Sequence, residues 1–204
     1  MAEFNYLATF IFFFAVIDPI GSVPVFIAVT SAYDAKTKRK IAIQATLVSA
    51  LILIFFVIAG EIILTAIEIP LTAFQVAGGI VLFLFALTMI FGESKPDEEV
   101  GMVKCSQETA IFPLAVPSIA SPGAMLAAVL LTENSRYTLV EQALTSVMIL
   151  AVLAVVLVLL LIAGHVHKLI GNGGASVVSR VMGLILCSLA VSNILAGIKG
   201  YFLL

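Results

Sequence analysis

Asp18 is followed by Pro19 inside an apolar stretch from Leu7 to Thr30, and no other pair in the chain is better placed to do chemistry. A carboxylate at the depth of a hydrocarbon core costs several kcal/mol, so it faces a cavity or a partner. Asp before Pro is also a helix start, with Asp as N-cap and Pro at the first helical position. The segment reads Asp18-Pro19-Ile20-Gly21-Ser22-Val23-Pro24, and a second one reads Pro113-Leu114-Ala115-Val116-Pro117-Ser118-Ile119-Ala120-Ser121-Pro122-Gly123-Ala124. Pro19, Pro24, Pro117 and Pro122 are the expected helix breakers, since each removes a backbone donor and crowds the carbonyl four residues back. Lipid does not tolerate the freed polar groups, so they must line a cavity or lie buried in protein.

Both second half-helices would then begin near the membrane midplane. A helix N-terminus carries about half a positive charge and unpaired amide donors, so two converging starts make an anion site. Asp18 adds a negative charge there. Amide donors beside a carboxylate suit a zwitterion, with its carboxylate on the helix starts and its ammonium near Asp18. No Lys, Arg or second carboxylate lies at that depth, so small neutral amino acids fit best. Asp18, Gly21, Ser22, Ser118, Ser121 and Gly123 are the expected substrate-binding residues, and Asp18 either takes the ammonium or carries a coupling proton. In the plainer alternative Asp18 only caps its half-helix and the prolines only kink. A cap contributes about 1 kcal/mol, less than the cost of the buried charge.

The elements that must position these residues are membrane spans. The 204 residues are 62% hydrophobic with a mean hydropathy of +1.24, against roughly 45–50% apolar in soluble domains. Six apolar runs, about 7–30, 41–61, 71–92, 109–131, 143–164 and 177–198, are each long enough to cross about 30 Å of hydrocarbon. Lys36, Lys38, Arg39, Lys40, Lys95, Lys104, Lys168 and Arg180 fall on one side of this layout, and only Arg136 and Lys199 on the other. The basic side is cytoplasmic by the positive-inside rule, which puts both termini outside an inner, or cell, membrane. Tyr6, Tyr33, Tyr137 and Tyr201 all fall at span ends, where tyrosine prefers the headgroup zone. The start, Met1 to Tyr6, has no basic region and reads as leading into a retained first span.

Other functions find little support. There is no basic patch for nucleic acid, no phosphate loop and no nucleophile motif, so the reading is not an enzyme. Cys105 and Cys187 suggest neither a disulfide nor a metal site. His165 and His167, two apart at a helix end, have poor chelating geometry. No cofactor is expected beyond a possible coupling ion, H+ or Na+. Gln44, Thr46, Ser49, Gln75, Ser188, Ser192 and Asn193 are expected to bond across helices, and Gly78, Gly79 and Gly183 to let helices approach closely.

An offset of 103–105 residues brings the halves into register. Asp18-Pro19 falls on Ser121-Pro122, Ala59-Gly60-Glu61 on Ala163-Gly164-His165, Val76 and Gly78 on Val181 and Gly183, and Gly92 on Gly197. Three spans per half is an odd number, so the second half enters from the opposite face and the repeat is inverted. The alternative is chance similarity among Leu/Val/Ala-rich helices. The expected fold is therefore an all-α polytopic membrane protein, six spans in a 3+3 inverted repeat with spans 1 and 4 broken near the midplane. Residues 1–92 form the first repeat, 93–108 an acidic cytoplasmic linker with five carboxylates, and 109–204 the second repeat.

Asp18-Pro19-Ile20-Gly21-Ser22-Val23-Pro24-Val25-Phe26, the segment Thr72 to Ala86 around Gln75 and Gly78-Gly79, and Phe112 to Pro117 through Ser121-Pro122-Gly123-Ala124 resemble the MarC family. The resemblance covers essentially the whole chain. It departs at Ser121, where members of that family often carry glycine. It implies six spans and transport of small neutral amino acids such as glycine or alanine. The reading is a secondary transporter, or exporter, alternating access around spans 1 and 4. Its rivals are a channel with re-entrant spans 1 and 4 and a non-transporting membrane chaperone or sensor. Transport direction, coupling ion and oligomeric state stay open at this level.

Overall fold

The computed structural model describes residues 5–91 and 110–202; the expected linker 93–108, and with it Gly92, Lys95, Lys104 and Cys105, lies outside the described residues. Among the described residues every regular element is helical: α1 (Tyr6–Ile17), α2 (Ser22–Thr30), α3 (Ala35–Ala66), α4 (Leu71–Phe91), an irregular helical segment Ala110–Ile119, α5 (Pro122–Leu130), α6 (Leu139–Leu161) and α7 (Ala163–Tyr201). Side chains close the orphan amides of the starts. Asn5 accepts from the Ala8 N–H, Asp34 from that of Thr37, and Thr138 and Glu141 cap each other reciprocally before α6.

Among the described residues five helices are long and apolar enough to cross a membrane, and six if the bent pair 112–119 and 122–130, angled by 49°, is counted as one. The residues 6–30 are the inner element: 61% of their apolar window is buried in protein, against 22–33% for the four other spans. The outer helices turn large apolar side chains outward, among them Leu51, Leu84, Leu139 and Leu195. A surface of that kind, carried round the molecule, fits hydrocarbon and not water.

Two boundaries differ from expectation. α3 outruns the 41–61 run at both ends, because Asp34 caps it early and its first turns carry Lys36, Lys38, Arg39 and Lys40 beyond the apolar run. The expected connector 165–176 is part of α7, and only Ile162 separates α6 from α7. Glycine in a helix costs about 1 kcal/mol, but a helix already nucleated on both sides propagates through such a stretch.

α4 and α7 pack through glycines. A Cβ built at Gly79 would lie 2.7 Å from Ile194 Cγ1 and 3.1 Å from the Ala190 carbonyl oxygen; one at Gly183 would lie 2.9 Å from Ile90 Cγ1 and 3.0 Å from the Ala86 carbonyl oxygen. Gly78 makes the same allowance for Leu126 at 2.5 Å. Gln75 Nε2 reaches Asn193 Oδ1 at 3.5 Å across this seam. Thr46 and Ser188, in contrast, bond carbonyls of their own helices.

The bundle's ends differ. At one end the Asn134 backbone and side-chain N–H groups both donate to Glu61 Oε2 at 2.8 Å, Thr132 Oγ1 lies 3.4 Å from the Val57 carbonyl oxygen, and Gly60 abuts Val129. At the other end, between α2, α3, α6 and α7, a cleft of about 490 Å³ opens beside Phe26, Thr30, Lys38, Arg39, Leu161 and Gly164.

Candidate functional site

The first break is built on Asp18. Its backbone takes the left-handed conformation (φ 51°, ψ 68°), which a short polar side chain tolerates best after glycine, and its N–H closes α1 on the Phe14 carbonyl. Asp18 Oδ1 then accepts the Gly21 N–H at 3.0 Å, and its carbonyl accepts the Ser22 hydroxyl at 3.1 Å. One residue both ends a helix and supports the next. The expected start at Pro19 is corrected: residues 19–21 form a turn and regular helix begins at Ser22. Asp18 lies in a left-handed turn instead of an extended N-cap because the chain must redirect there. Pro24 does not break α2. It sits in the first turn, where its missing N–H has no helical partner in any case.

The second break follows the sequence more closely. Phe112 and Val116, each preceding a proline, are extended, as the pre-proline clash demands. Ser121 is an extended N-cap whose hydroxyl accepts the Ala124 N–H at 3.2 Å, with Pro122 at the first helical position. The freed Ala115 carbonyl accepts the Ala120 N–H at 2.8 Å and lies 3.3 Å from Ser49 Oγ of α3. Ser49, expected to bond across helices, shares its hydroxyl between the Ala45 carbonyl of its own helix at 2.9 Å and this broken segment.

The two breaks meet. Ser121 Oγ donates to the Val16 carbonyl at 3.1 Å, which satisfies an orphan acceptor in the last turn of α1. Ser118 Oγ reaches Ser22 Oγ at 3.5 Å. Asp18 is 2% exposed, Ser121 1%, and Ser22 and Ser118 0%, so the junction is closed in by protein. Gly21 belongs to it for a steric reason: a Cβ there would collide with the Asp18 carboxylate. Gly123 is different, since its free side is filled by Leu82 and by Val16, whose Cγ1 would lie 3.0 Å from a Cβ. Among the described residues no group of His, Cys, Asp and Glu is arranged to hold a metal ion.

A buried carboxylate and paired hydroxyls where two helix breaks cross, inside a bundle of lipid-length helices, define a polytopic integral membrane protein. A family model described as "MarC family integral membrane protein" matches residues 4–202, and the chain belongs to that family. Its relatives include a UPF0056 membrane protein of Methanocaldococcus jannaschii, 34% identical over 97% of this chain and 98% of its own length. One from Buchnera aphidicola is 32% identical over 96% and 97%, and one from Escherichia coli is 31% identical over 97% and 93%. No solved structure matches.

Proposed function

We propose that the chain is a secondary transporter of small neutral amino acids, alternating access around the Asp18 and Ser121 breaks. The observation that carries this reading is the buried contact between the two breaks, where a carboxylate, two helix starts and four hydroxyl or carbonyl groups converge. Helix starts favour a substrate carboxylate, and Asp18 favours its ammonium or holds a coupling proton, with Na+ as the other candidate ion. Gly21, Ser22, Ser118, Ser121 and Gly123 shape the site, Gly123 by close packing. The junction is sealed, so substrate reaches it only when one end opens.

The inverted repeat, 1–92 and 109–204 around the 93–108 linker, is part of this proposal. Each half has the same order of broken pair, long helix, long helix. A 104-residue offset maps Gly79, Ala86 and Ile90 onto Gly183, Ala190 and Ile194, and the contacts are reciprocal: Gly79 meets Ala190 and Ile194, while Gly183 meets Ala86 and Ile90. Reciprocal contact is what a two-fold axis produces. It favours Gly79 over Gly78 as the counterpart of Gly183.

A re-entrant fourth span would return residues 131–138 to the face that α4 approaches at Phe91. The Asn134–Glu61 bonds instead hold them near the end of α3, which supports a crossing. Both termini then lie on the extracytoplasmic side of the cell membrane, by the basic residues at the opposite end.

The test is uptake of labelled glycine and alanine into proteoliposomes, preceded by a thermal-shift screen of all amino acids with and without proton or sodium gradients. Small neutral amino acids should raise the melting temperature and be taken up saturably. Asp18→Asn, which keeps an acceptor for the Gly21 N–H, should fold and lose uptake or its pH dependence. Normal, pH-dependent uptake by that variant would refute a functional Asp18.

A further inference from the structure

The two ends of the molecule hold equivalent joints in opposite states. At one end Gly60 of α3 is buried against Val129 of α5, and Thr132 lies 3.4 Å from the Val57 carbonyl oxygen. The 104-residue offset takes Val57 and Gly60 to Leu161 and Gly164, and a 102-residue offset, one short of that at Asp18-Pro19, takes Val129 and Thr132 to Ile27 and Thr30. Those four counterparts line the open cleft. Among the described residues a Cβ at Gly164 would meet nothing within 4 Å, whereas one at Gly60 would collide with Val129. The threonines are equivalent in their own helices: Thr132 Oγ1 lies 2.6 Å from the Ala128 carbonyl oxygen, and Thr30 Oγ1 2.5 Å from that of Phe26. Only Thr132 also reaches the facing helix.

One sequence pattern therefore packs tightly at one end and stands apart at the other. Tight packing at Gly60 shows that the pattern can close. The cleft at Gly164 is lined by the same kinds of residue, a glycine on one helix and an apolar side chain and a threonine on the other. The cleft starts two turns beyond Asp18 on α2, and Lys38 and Arg39 stand at its mouth. It thus opens on the basic side of the protein, along the helix that leads back to the sealed junction.

We propose that this cleft is the open access route to the Asp18 junction, and that the chain has a second conformation in which the two ends exchange. In that state Gly164 closes on Ile27 and Thr30 on Leu161, while Gly60 parts from Val129 and Thr132 from Val57. What passes through the route rests on the transporter reading; the exchange itself does not.

The glycines give opposite levers. Gly60→Ala penalises the end that is closed here and should shift the population toward the exchanged state. Gly164→Val is accommodated here but penalises the exchanged state. The readout is the rate at which a small soluble thiosulfonate modifies an Ile27→Cys reporter, half-buried in the cleft, or a Thr132→Cys reporter, buried at the closed end, in the purified full-length chain with Cys105 and Cys187 replaced by serine. On the parent background Ile27→Cys should react faster. Gly60→Ala should slow Ile27→Cys and speed Thr132→Cys, by about tenfold, the opposite directions being what a displaced two-state equilibrium requires. Gly164→Val should slow Thr132→Cys further.

Rates that stay within about twofold in Gly60→Ala, or that rise together at both ends, would overturn the exchange. Should Gly60→Ala fail to fold, cross-linking decides: a Thr30→Cys/Leu161→Cys pair must form a disulfide across the present gap, and its failure beside a Val57→Cys/Thr132→Cys pair that does form would overturn it equally. Exchange without any response to amino acids would refute the transporter reading and leave the exchange standing. Saturable uptake without exchange would do the reverse.

Discussion

At the first break the chain turns at Asp18, left-handed, and a carboxylate oxygen takes the Gly21 N–H; at the second it turns at Ser121, extended, and a hydroxyl takes the Ala124 N–H. The mechanical task is the same but the groups are not interchangeable. A hydroxyl donates as well as accepts, so Ser121 can cap α5 and also hold the Val16 carbonyl. An ionised carboxylate only accepts. If Asp18 were there to cap alone, a neutral cap would serve without placing a charge among apolar helices. The structural tie between the breaks belongs to Ser121, and a binding role for the Asp18 charge belongs to the transporter proposal.

The largest expected effect comes from the glycines beside the two breaks. Gly21→Ala drives a Cβ into the Asp18 carboxylate, and the carboxylate cannot retreat without leaving the Gly21 N–H. Gly123→Ala meets the far end of the Leu82 side chain, which can rotate away. Overpacking costs about 1–3 kcal/mol. Gly21→Ala should therefore lie at the upper end, with binding of glycine and alanine lost, and Gly123→Ala at the lower end with binding weakened. Thermal melts and ligand-induced shifts on both proteins check the order. Equal effects, or the reverse order, would break the assignment of the charge site to the first break.

Ser121 comes next. Ser121→Ala removes both its hydrogen bonds and leaves the Val16 carbonyl buried without that donor, a cost of about 1–3 kcal/mol. Ser121→Thr keeps the hydroxyl and should recover most of it. Ser121→Gly should retain much of the cap, since glycine there costs only a few tenths of a kcal/mol, and should admit a somewhat larger neutral side chain. Ser121→Leu should abolish binding sterically. Unchanged selectivity in the Leu variant would place Ser121 outside the substrate's reach and leave it only the tie to Val16.

The same pair of breaks shows what a sequence carries and what it conceals. The Ser121-Pro122 cap was legible because its partner, the Ala124 N–H, is local and the geometry is the commonest one for Ser before Pro. The interruption at Asp18 was legible from the cost of the charge and the proline, but its left-handed turn was not. Whether a residue ends one helix or starts another depends on where the chain goes next. Pro24 looked like a breaker because sequence shows a proline and not its position within a turn. The Ser121–Val16 and Ser49–Ala115 bonds join residues far apart in the chain, and no local pattern encodes them. The continuous helix through Gly171 to Gly174 was hidden for the opposite reason: locally unfavourable residues are carried by the long helix on both sides.

The smallest effect separates depth from chemistry, because Asp34 repeats the task of Asp18 outside the membrane spans. Its Oδ1 accepts the Thr37 N–H at 3.4 Å at the start of α3. Hydrogen bonding from the Thr37 side chain, opposed by desolvation and helped by backbone amides, holds its carboxyl below the usual range. A depressed carboxyl stabilises the fold fully above its unfolded value, and that contribution fades as pH falls through the folded one. Wild type should therefore melt slightly above Asp34→Asn at pH 7, and the gap should close by about pH 2, well under the ordinary carboxylate range. Uptake at neutral pH should be untouched, unlike in Asp18→Asn. A gap that persists at low pH would show that Asp34 supports α3 without its charge. Lost uptake in Asp34→Asn would mean that an aspartate cap at any depth matters to transport, and the special role given to the buried one would fail.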